Sequence, residues 1–251
     1  MAPKWQELAD RLAAQIRRGD FAPGQHLPHI RELVAAGEGS KATVHAAYKA
    51  LEAQGLVTPS RGRGTIVRPN SPVKPIHLVG KRVVLREFTR EDVDDVLAII
   101  GDDKVTTWLS FDSRDRAQAV SMIEGAIERA SQEPRTEFYL GVTKHDDDRV
   151  IGFVRIGLSG VQAGKLGYAI AAKEWGRGYA TDAARTLVTY AFKELALHRI
   201  TAAIGPENAA SIAMAQQLGF TREGVLRDHV LTNGAWRDSV LYSVLAHEWS
   251  K

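Results

Sequence analysis

The chain has 251 residues, of which 44% are hydrophobic and 25% charged, and this composition is typical of a soluble globular protein with one large domain or two smaller ones. It contains no cysteine, which excludes disulfides and thiolate metal ligands. No apolar run approaches the roughly 20 residues of a transmembrane helix, and the first residues lack an apolar signal core. The sequence therefore predicts a cytoplasmic protein without a membrane contact.

Positive charge is concentrated at the start of the chain. Residues 1–70 hold 10 Lys and Arg against 6 Asp and Glu, whereas residues 71–251 hold 23 against 24. This distribution indicates a polyanionic partner for the first part. The segment 68–75 contains three prolines, which a helix or a central strand does not accommodate. We predict a domain at residues 1–68, a Pro-rich linker at 69–79 and a second domain at 80–251.

The first domain is predicted to contain three helices and a hairpin. Apolar residues recur every four positions in 5–18, a short helix follows Pro28, and Ser40 is a suitable N-cap for a third helix that ends at Gly55. Two short strands then flank a Gly/Arg-rich turn at 59–64. This order is typical of a winged helix-turn-helix, in which one helix enters a groove of the nucleic acid and the wing contacts its backbone.

Four motifs in residues 4–68 resemble the GntR family of bacterial DNA-binding domains. They are Leu27-Pro28-x-x-Arg31-Glu32-Leu33, Ser40-Lys41-x-Thr43-Val44, Leu51-Glu52-Ala53-x-Gly55-Leu56 and Arg61-Gly62-x-Gly64-Thr65. The resemblance implies nucleic-acid contacts through Arg31, Ser40, Lys41, Thr43 and His45, and through Arg61, Gly62 and Arg63 in the wing.

The chain departs from the GntR pattern in and near the presumed reading helix. The family usually has Ser-Glu at His29-Ile30, Arg at Lys41 and His45, and an apolar residue at Gly39. These changes remove side chains that make paired hydrogen bonds to a base, which weakens the case for sequence-specific reading. DNA and tRNA both remain possible partners, and a winged helix used only for protein contacts is the alternative.

The second domain is predicted to alternate strands and helices. Strands are expected at 83–85, 137–143, 150–158, 165–170, 199–204, 221–231 and 236–245, and helices at 90–100, 114–131, 179–195 and after Ser211. Asn233-Gly234 is a strong hairpin signal. The three aspartates at 146–148 are expected to form a solvated turn, and no metal site is predicted.

A glycine loop joins the strand at 165–170 to the helix that follows it. The loop Trp175-Gly176-Arg177-Gly178-Tyr179-Ala180-Thr181 places backbone N–H groups and the positive end of a helix dipole at one point. Glycine allows the backbone to approach a ligand closely. The unit is therefore a candidate anion site suited to a diphosphate.

The order of elements over residues 80–249 resembles the GNAT superfamily of acyl-CoA-dependent N-acyltransferases. The similarity is carried by Leu166-Gly167-Tyr168-Ala169-Ile170, the glycine loop, Asn208-x-x-Ser211 and Leu218-Gly219-Phe220, which resemble the branch that acetylates ribosomal-protein N-termini and small amines. The predicted fold class is thus α+β, a winged helix-turn-helix followed by a mixed GNAT sheet flanked by helices. Trp175 stands where the wider superfamily has Gln or Arg.

The resemblance implies acetyl-CoA as co-substrate and an amine acceptor, either a small molecule or a protein N-terminus. The implied donor-binding residues are Ala169, Ile170, Gly176, Arg177, Gly178, Tyr179, Ala180, Thr181 and Asn208. The implied catalytic residues are Ser211, Tyr168 and Asn208, with Ser211 returning a proton to the thiolate. Helix capping is the alternative role of Asn208 and Ser211.

The general base and the acceptor pocket are less well determined by the sequence. Candidate bases are Glu137, Glu174, Asp228 and Tyr168, or a chain of water molecules. Trp108, Phe111, Asn233 and Trp236 are candidates for the acceptor pocket because it lies near the first helices and the last hairpin in this fold.

Three functions are consistent with the sequence. The first is an acetyl-CoA-dependent N-acetyltransferase with an appended nucleic-acid-binding module. The second is an aminoacyltransferase that uses charged tRNA as donor and grips it with the winged helix. The third is a transcription regulator whose second domain senses acyl-CoA. The acceptor, the target nucleic acid and the oligomeric state remain open.

Overall fold

The computed structural model describes residues 3–18, 20–22, 24–60, 64–67, 75–132 and 134–249. The chain forms two compact units, and the main division between them falls between residues 74 and 75. Most of the predicted linker and the wing residues Arg61, Gly62 and Arg63 lie outside the described residues. Within the described ranges, no helix is long and apolar enough to cross a membrane.

The N-terminal unit is a winged helix-turn-helix. It contains helices α1 (Lys4–Arg18), α2 (Ile30–Ala35) and α3 (Lys41–Ala53), and an antiparallel hairpin of β1 (Val57–Ser60) and β2 (Gly64–Val67). Its core forms because the apolar positions of the three helices and of the hairpin pack together; it includes Leu8, Leu12, Val44, Leu51 and Val57.

The C-terminal unit contains eight strands and five α-helices among its described residues. In chain order they are β3 (His77–Val79), β4 (Val83–Arg86), α4 (Val93–Ile100), α5 (Asp103–Thr106), α6 (Arg116–Ala130), β5 (Glu137–Lys144), β6 (Asp147–Leu158), β7 (Ala163–Ile170), α7 (Tyr179–Lys193), β8 (Arg199–Ile204), α8 (Ala209–Gln217), β9 (Thr221–Thr232) and β10 (Ala235–Leu245). Short 3-10 helices precede α4, at Arg90–Asp92, and α7, at Ala172–Glu174.

The strands form one sheet in the order β3-β4-β5-β6-β7-β8-β10-β9. All neighbours are antiparallel except β7 and β8, which are parallel. One core packs α7 and α8 on the sheet through residues such as Leu187 and Met214, and the other packs α4 and α6 through Ile99 and Ile123. The predicted α+β class, a winged helix followed by a mixed sheet flanked by helices, is confirmed.

Some elements differ from the sequence-based expectations. Strand β3 lies within the segment expected to be linker, because Ile76–Val79 follow the last proline and can pair with β4. Helix α5 was not expected, since four residues are too few to show a helical period. Strand β9 is interrupted by a bulge, where its pairing with β10 shifts between Arg237 and Ser239 and Asp228 has a φ of 46°.

Candidate active site

The central feature of the C-terminal unit is a slot between two parallel strands. Strand β7 pairs with β6 from Gly164 to Ile170, but it pairs with β8 only from Ala163 to Lys165. Strand β8 continues to Ile204 and stays paired with β10. Residues 166–170 therefore have a backbone edge that β8 does not occupy, and an extended ligand could add to that edge through backbone hydrogen bonds.

The glycine loop follows the open end of this slot. Gly176 and Gly178 have φ angles of 75° and 77°, a left-handed conformation that favours glycine. Gly178 is the N-cap of α7 and supplies no side-chain cap. Along α7, Asp182 is the first residue whose N–H bonds back along the helix, to the Gly178 oxygen at 3.1 Å. The N–H groups before it are at the helix terminus, where they can bind an anion.

Three buried or partly buried contacts fix the loop. The Trp175 indole donates to the Ile170 carbonyl at 2.7 Å, so this departure from the superfamily pattern ties the loop to the end of β7. Glu174 is buried and accepts from Lys144 Nζ at 2.9 Å, with Arg177 at 3.3 Å. Glu174 thus anchors the loop through two ion pairs.

A buried carboxylate attaches α7 to the sheet. Asp182 Oδ2 accepts the backbone N–H groups of Arg82 at 2.7 Å and of Val83 at 3.2 Å. Its side chain is in the first turn of α7, where a negative charge also interacts favourably with the helix dipole. The first turn of the helix and the start of β4 are therefore held together.

Tyr168 and Ser211 lie together on the α8 side of the slot. The Tyr168 hydroxyl is buried, and it makes no well-formed hydrogen bond with any residue in the described part of the chain. Burial raises the pKa of Tyr168, and the nearby Ser211 side chain partly opposes this rise. Tyr168 therefore carries its proton at neutral pH.

Asn208 has a capping role. Its Oδ1 accepts the backbone N–H of Ser211 at 3.1 Å, which makes it the N-cap of α8. Asn208 therefore caps α8, which is the alternative role given to it above. Its amide NH2 group takes no part in the capping hydrogen bond. The cap also fixes the first turn of α8, from which Ser211 reaches Tyr168.

Glu137, another candidate base, lies away from this centre. It forms ion pairs with Arg129 at 2.6 Å and with Arg155 at 3.3 Å. Glu137 pairs with Gly157 of β6, whereas Ile170, at the end of β7 that leads to the glycine loop, pairs with Gly152 of β6. Glu137 therefore contributes to the sheet and α6, and sequence reasoning did not detect this because strand register is not visible in a local motif.

The hairpin of β9 and β10 is bonded to the segment that precedes α6. Arg237 donates to the carbonyls of Thr107 at 2.8 Å and Leu109 at 3.1 Å, and the Asn233 N–H donates to Asp112 at 2.7 Å. Trp108 on that segment is 43% exposed and Trp236 on the hairpin is 60% exposed. Phe111 lies under the Arg114 guanidinium. The predicted acceptor-side residues thus lie on two segments that are joined to each other.

Comparison with known families identifies both units. Residues 82–221, more than half of the chain, match the family described as "Acetyltransferase (GNAT) domain". The chain belongs to the GNAT acetyltransferase family. Residues 4–67 match the family described as "Bacterial regulatory proteins, gntR family". The C-terminal unit is thus a GNAT acetyltransferase domain, and the N-terminal unit is a GntR-type domain, as the motifs predicted.

Individual relatives agree with this assignment. An uncharacterized HTH-type transcriptional regulator of Streptomyces coelicolor is 48% identical over 128 residues, which cover 50% of this chain and 44% of that protein. A Bacillus subtilis protein named "Probable N-acetyltransferase YjcK" is 31% identical over 176 residues, 67% of this chain and 96% of that protein. The fold is also similar to that of Mycobacterium smegmatis RimJ in complex with CoA-disulfide, with a TM-score of 0.63, 24% identity, and coverage of 72% and 92%.

In the GntR-type unit, the described predicted contact residues lie on and before α3. Ser40 caps α3 by accepting the Thr43 N–H at 3.2 Å, and its hydroxyl also bonds that of Thr43. Lys41 and His45 are exposed and four residues apart, so they share one face of the helix. Arg31 is exposed on α2. The unit thus presents two cations and an imidazole near the start of α3.

Proposed function

We propose that the GNAT unit transfers the acetyl group of acetyl-CoA to an amine and that the GntR-type unit binds nucleic acid. The observation that carries the proposal is the slot between β7 and β8, whose open backbone edge leads into the glycine loop. In this assignment the pantetheine arm lies along the backbone of Ala169 and Ile170, and the diphosphate lies on the N–H groups of residues 176–181.

The reaction assigned to this site is direct attack of a neutral amine on the thioester carbonyl. The C–N bond forms as the carbonyl oxygen becomes negative, and a free N–H on the β7 edge would stabilise that charge. The C–S bond then breaks, and the thiolate takes a proton from the Ser211 or Tyr168 hydroxyl. The proton lost by the attacking nitrogen returns to that hydroxyl, directly or through water, so the amide, the free thiol and the original enzyme result. The Tyr168 hydroxyl is protonated at neutral pH and therefore has a proton to donate, and its raised pKa favours regaining that proton afterwards.

The acceptor is assigned to the side of the slot bounded by the β9–β10 hairpin and the segment 107–112. The exposed indoles of Trp108 and Trp236 give this side an apolar surface. Such a surface suits an amine whose carbon skeleton stacks on aromatic rings, either a small amine or a protein N-terminus.

The proposal is tested with the full-length protein after nuclease treatment. Acetyl-CoA is supplied with a panel of small amines and short peptides, and release of the free CoA thiol is followed. We expect acceptor-dependent thiol release that falls at least about tenfold in Ser211→Ala, a loss within the usual range for a general acid. Absence of acetyl-CoA binding at millimolar concentration would contradict the proposal. Transfer that occurs only with aminoacyl-tRNA would instead favour the tRNA-dependent reaction.

The nucleic-acid arm is tested separately. Absorbance at 260 and 280 nm, measured before and after DNase or RNase, shows which nucleic acid co-purifies. Binding of a DNA duplex that survives about 200 mM salt would indicate specific recognition, because phosphate contacts alone weaken steeply with salt. If the protein binds neither a DNA duplex nor tRNA in low salt, the assignment of this unit to nucleic-acid binding is wrong.

A further inference from the structure

The turn between β3 and β4 packs directly against the first turn of α7. A Cβ built on Gly80 would lie 2.6 Å from Asp182 Oδ2 and 2.7 Å from Thr186 Oγ1, so only glycine fits there. Asp182 accepts the N–H groups of the next residues of the turn, Arg82 and Val83. The close approach of Gly80 and the two hydrogen bonds to Asp182 therefore hold this turn beside the N-terminus of α7, where the glycine loop ends.

The Arg82 side chain extends from this turn to Gly178. A Cβ built on Gly178 would lie 3.6 Å from Arg82 Nε and 3.8 Å from its Cδ. Arg82 is exposed, and no carboxylate in the described part of the chain forms an ion pair with it. Arg177, on the loop itself, is paired with Glu174. Arg82 is therefore a cation at this loop whose side chain has no ion-pair partner among the described residues.

The Arg82 guanidinium lies near the N-terminus of α7, while the Asp182 carboxylate of the first turn accepts backbone N–H groups rather than this side chain. The N-terminus of a helix carries a partial positive charge, so a cation next to it is repelled. The backbone of Arg82 is nevertheless fixed there by Asp182. A bound anion between the guanidinium and the N–H groups of the loop would turn this repulsion into two attractive interactions.

We infer that Arg82 binds a phosphate group of the acyl donor and, with the N–H groups of residues 176–181, completes the phosphate site. This inference rests on the proposed use of a CoA donor. A guanidinium is planar and donates two parallel hydrogen bonds to phosphate oxygens, which gives it geometric as well as electrostatic selectivity. The 5′-diphosphate and the 3′-phosphate of CoA offer the same chemistry, and donor analogues distinguish them.

The test compares Arg82→Ala, Arg82→Lys and the unchanged full-length protein by titration calorimetry. The ligands are acetyl-CoA, 3′-dephospho-acetyl-CoA and S-acetylpantetheine, which has no phosphate. We expect Arg82→Ala to weaken acetyl-CoA about tenfold, equivalent to about 1.4 kcal/mol, with Arg82→Lys recovering part of the loss. Binding of S-acetylpantetheine should be equal in all three proteins. A loss that disappears with the 3′-dephospho donor assigns Arg82 to the 3′-phosphate, and a loss that persists assigns it to the diphosphate.

Arg222→Ala is the matched control. Arg222 is an exposed arginine on β9, at the opposite edge of the sheet from β3 and β4, so its removal changes the net charge equally without touching the loop. Acetyl-CoA affinity in Arg82→Ala that stays within about twofold of the Arg222→Ala value would overturn the inference. An equal loss for S-acetylpantetheine would also overturn it, by showing a structural effect. If the unchanged protein binds no acetyl-CoA, the proposed function itself fails, and the inference with it.

Discussion

The hydroxyl of Tyr168 gives a prediction that separates function from stability. It is buried without a well-formed hydrogen bond to a described residue, and an unsatisfied buried polar group costs about 1–3 kcal/mol. Tyr168→Phe removes this hydroxyl and keeps the ring that packs in the core beside Leu166 and Ile170. We therefore expect the free energy of unfolding to stay equal or to rise by up to about 2 kcal/mol, while kcat falls about tenfold or more.

The unfolding of the GNAT unit can be followed by tryptophan fluorescence in urea, because four of the five tryptophans lie after residue 100. Tyr139→Phe is the control, since Tyr139 is buried and its hydroxyl contacts Met122 Sδ at 3.7 Å. This control should lose at most about 1 kcal/mol, the value of a weak hydrogen bond, and should keep its kcat. A Tyr168→Phe protein that is less stable by 1 kcal/mol or more, or that has the same kcat as the unchanged protein, would refute this reasoning.

Three further predictions concern the supports of the site and the GntR-type unit. Asp182→Ala leaves two backbone N–H groups without their acceptor, so it should lower the free energy of unfolding by about 3 kcal/mol and weaken acetyl-CoA binding, whereas a stable variant with normal affinity would contradict the proposed support. Asp92→Asn should cost about 3 kcal/mol near pH 7, because Asp92 forms a buried two-bond ion pair with Arg86. Burial acts to raise the pKa of Asp92, but the bonds from Arg86 and Thr89 outweigh it and lower the pKa. The difference between the two proteins in urea should therefore be constant above about pH 5 and shrink as the pH falls from there through that lowered pKa, and a pH-independent difference would contradict it. Lys41→Ala should reduce the salt slope of nucleic-acid binding by about 1, and an unchanged slope would remove Lys41 from the interface.

Much of the fold was predictable because its signals are local. The period of apolar residues located α1 and α6, Ser40 identified the start of α3, and Asn233-Gly234 located the last hairpin. The glycine loop was visible for the same reason, since left-handed positions such as Gly176 and Gly178 strongly favour one residue type.

The less predictable features depend on contacts between distant parts of the chain. No local motif indicates that Asp182 binds the N–H of Arg82, a hundred residues earlier, or that Glu137 is held by two arginines. The β9 bulge also depends on pairing with β10 rather than on the residues around Asp228. Arg82 was missed as a candidate because a lone arginine before a strand has no distinctive pattern.

Hydrogen exchange of the full-length protein with and without acetyl-CoA tests most directly the claim that the slot and the glycine loop form the donor site. The account predicts slower exchange of backbone amides in residues 166–170 and 176–181 when acetyl-CoA is bound, because the N–H groups on the open edge of β7 and in the loop would then donate to the ligand. Saturating acetyl-CoA that leaves exchange in both segments unchanged, or that protects a different surface, would contradict it.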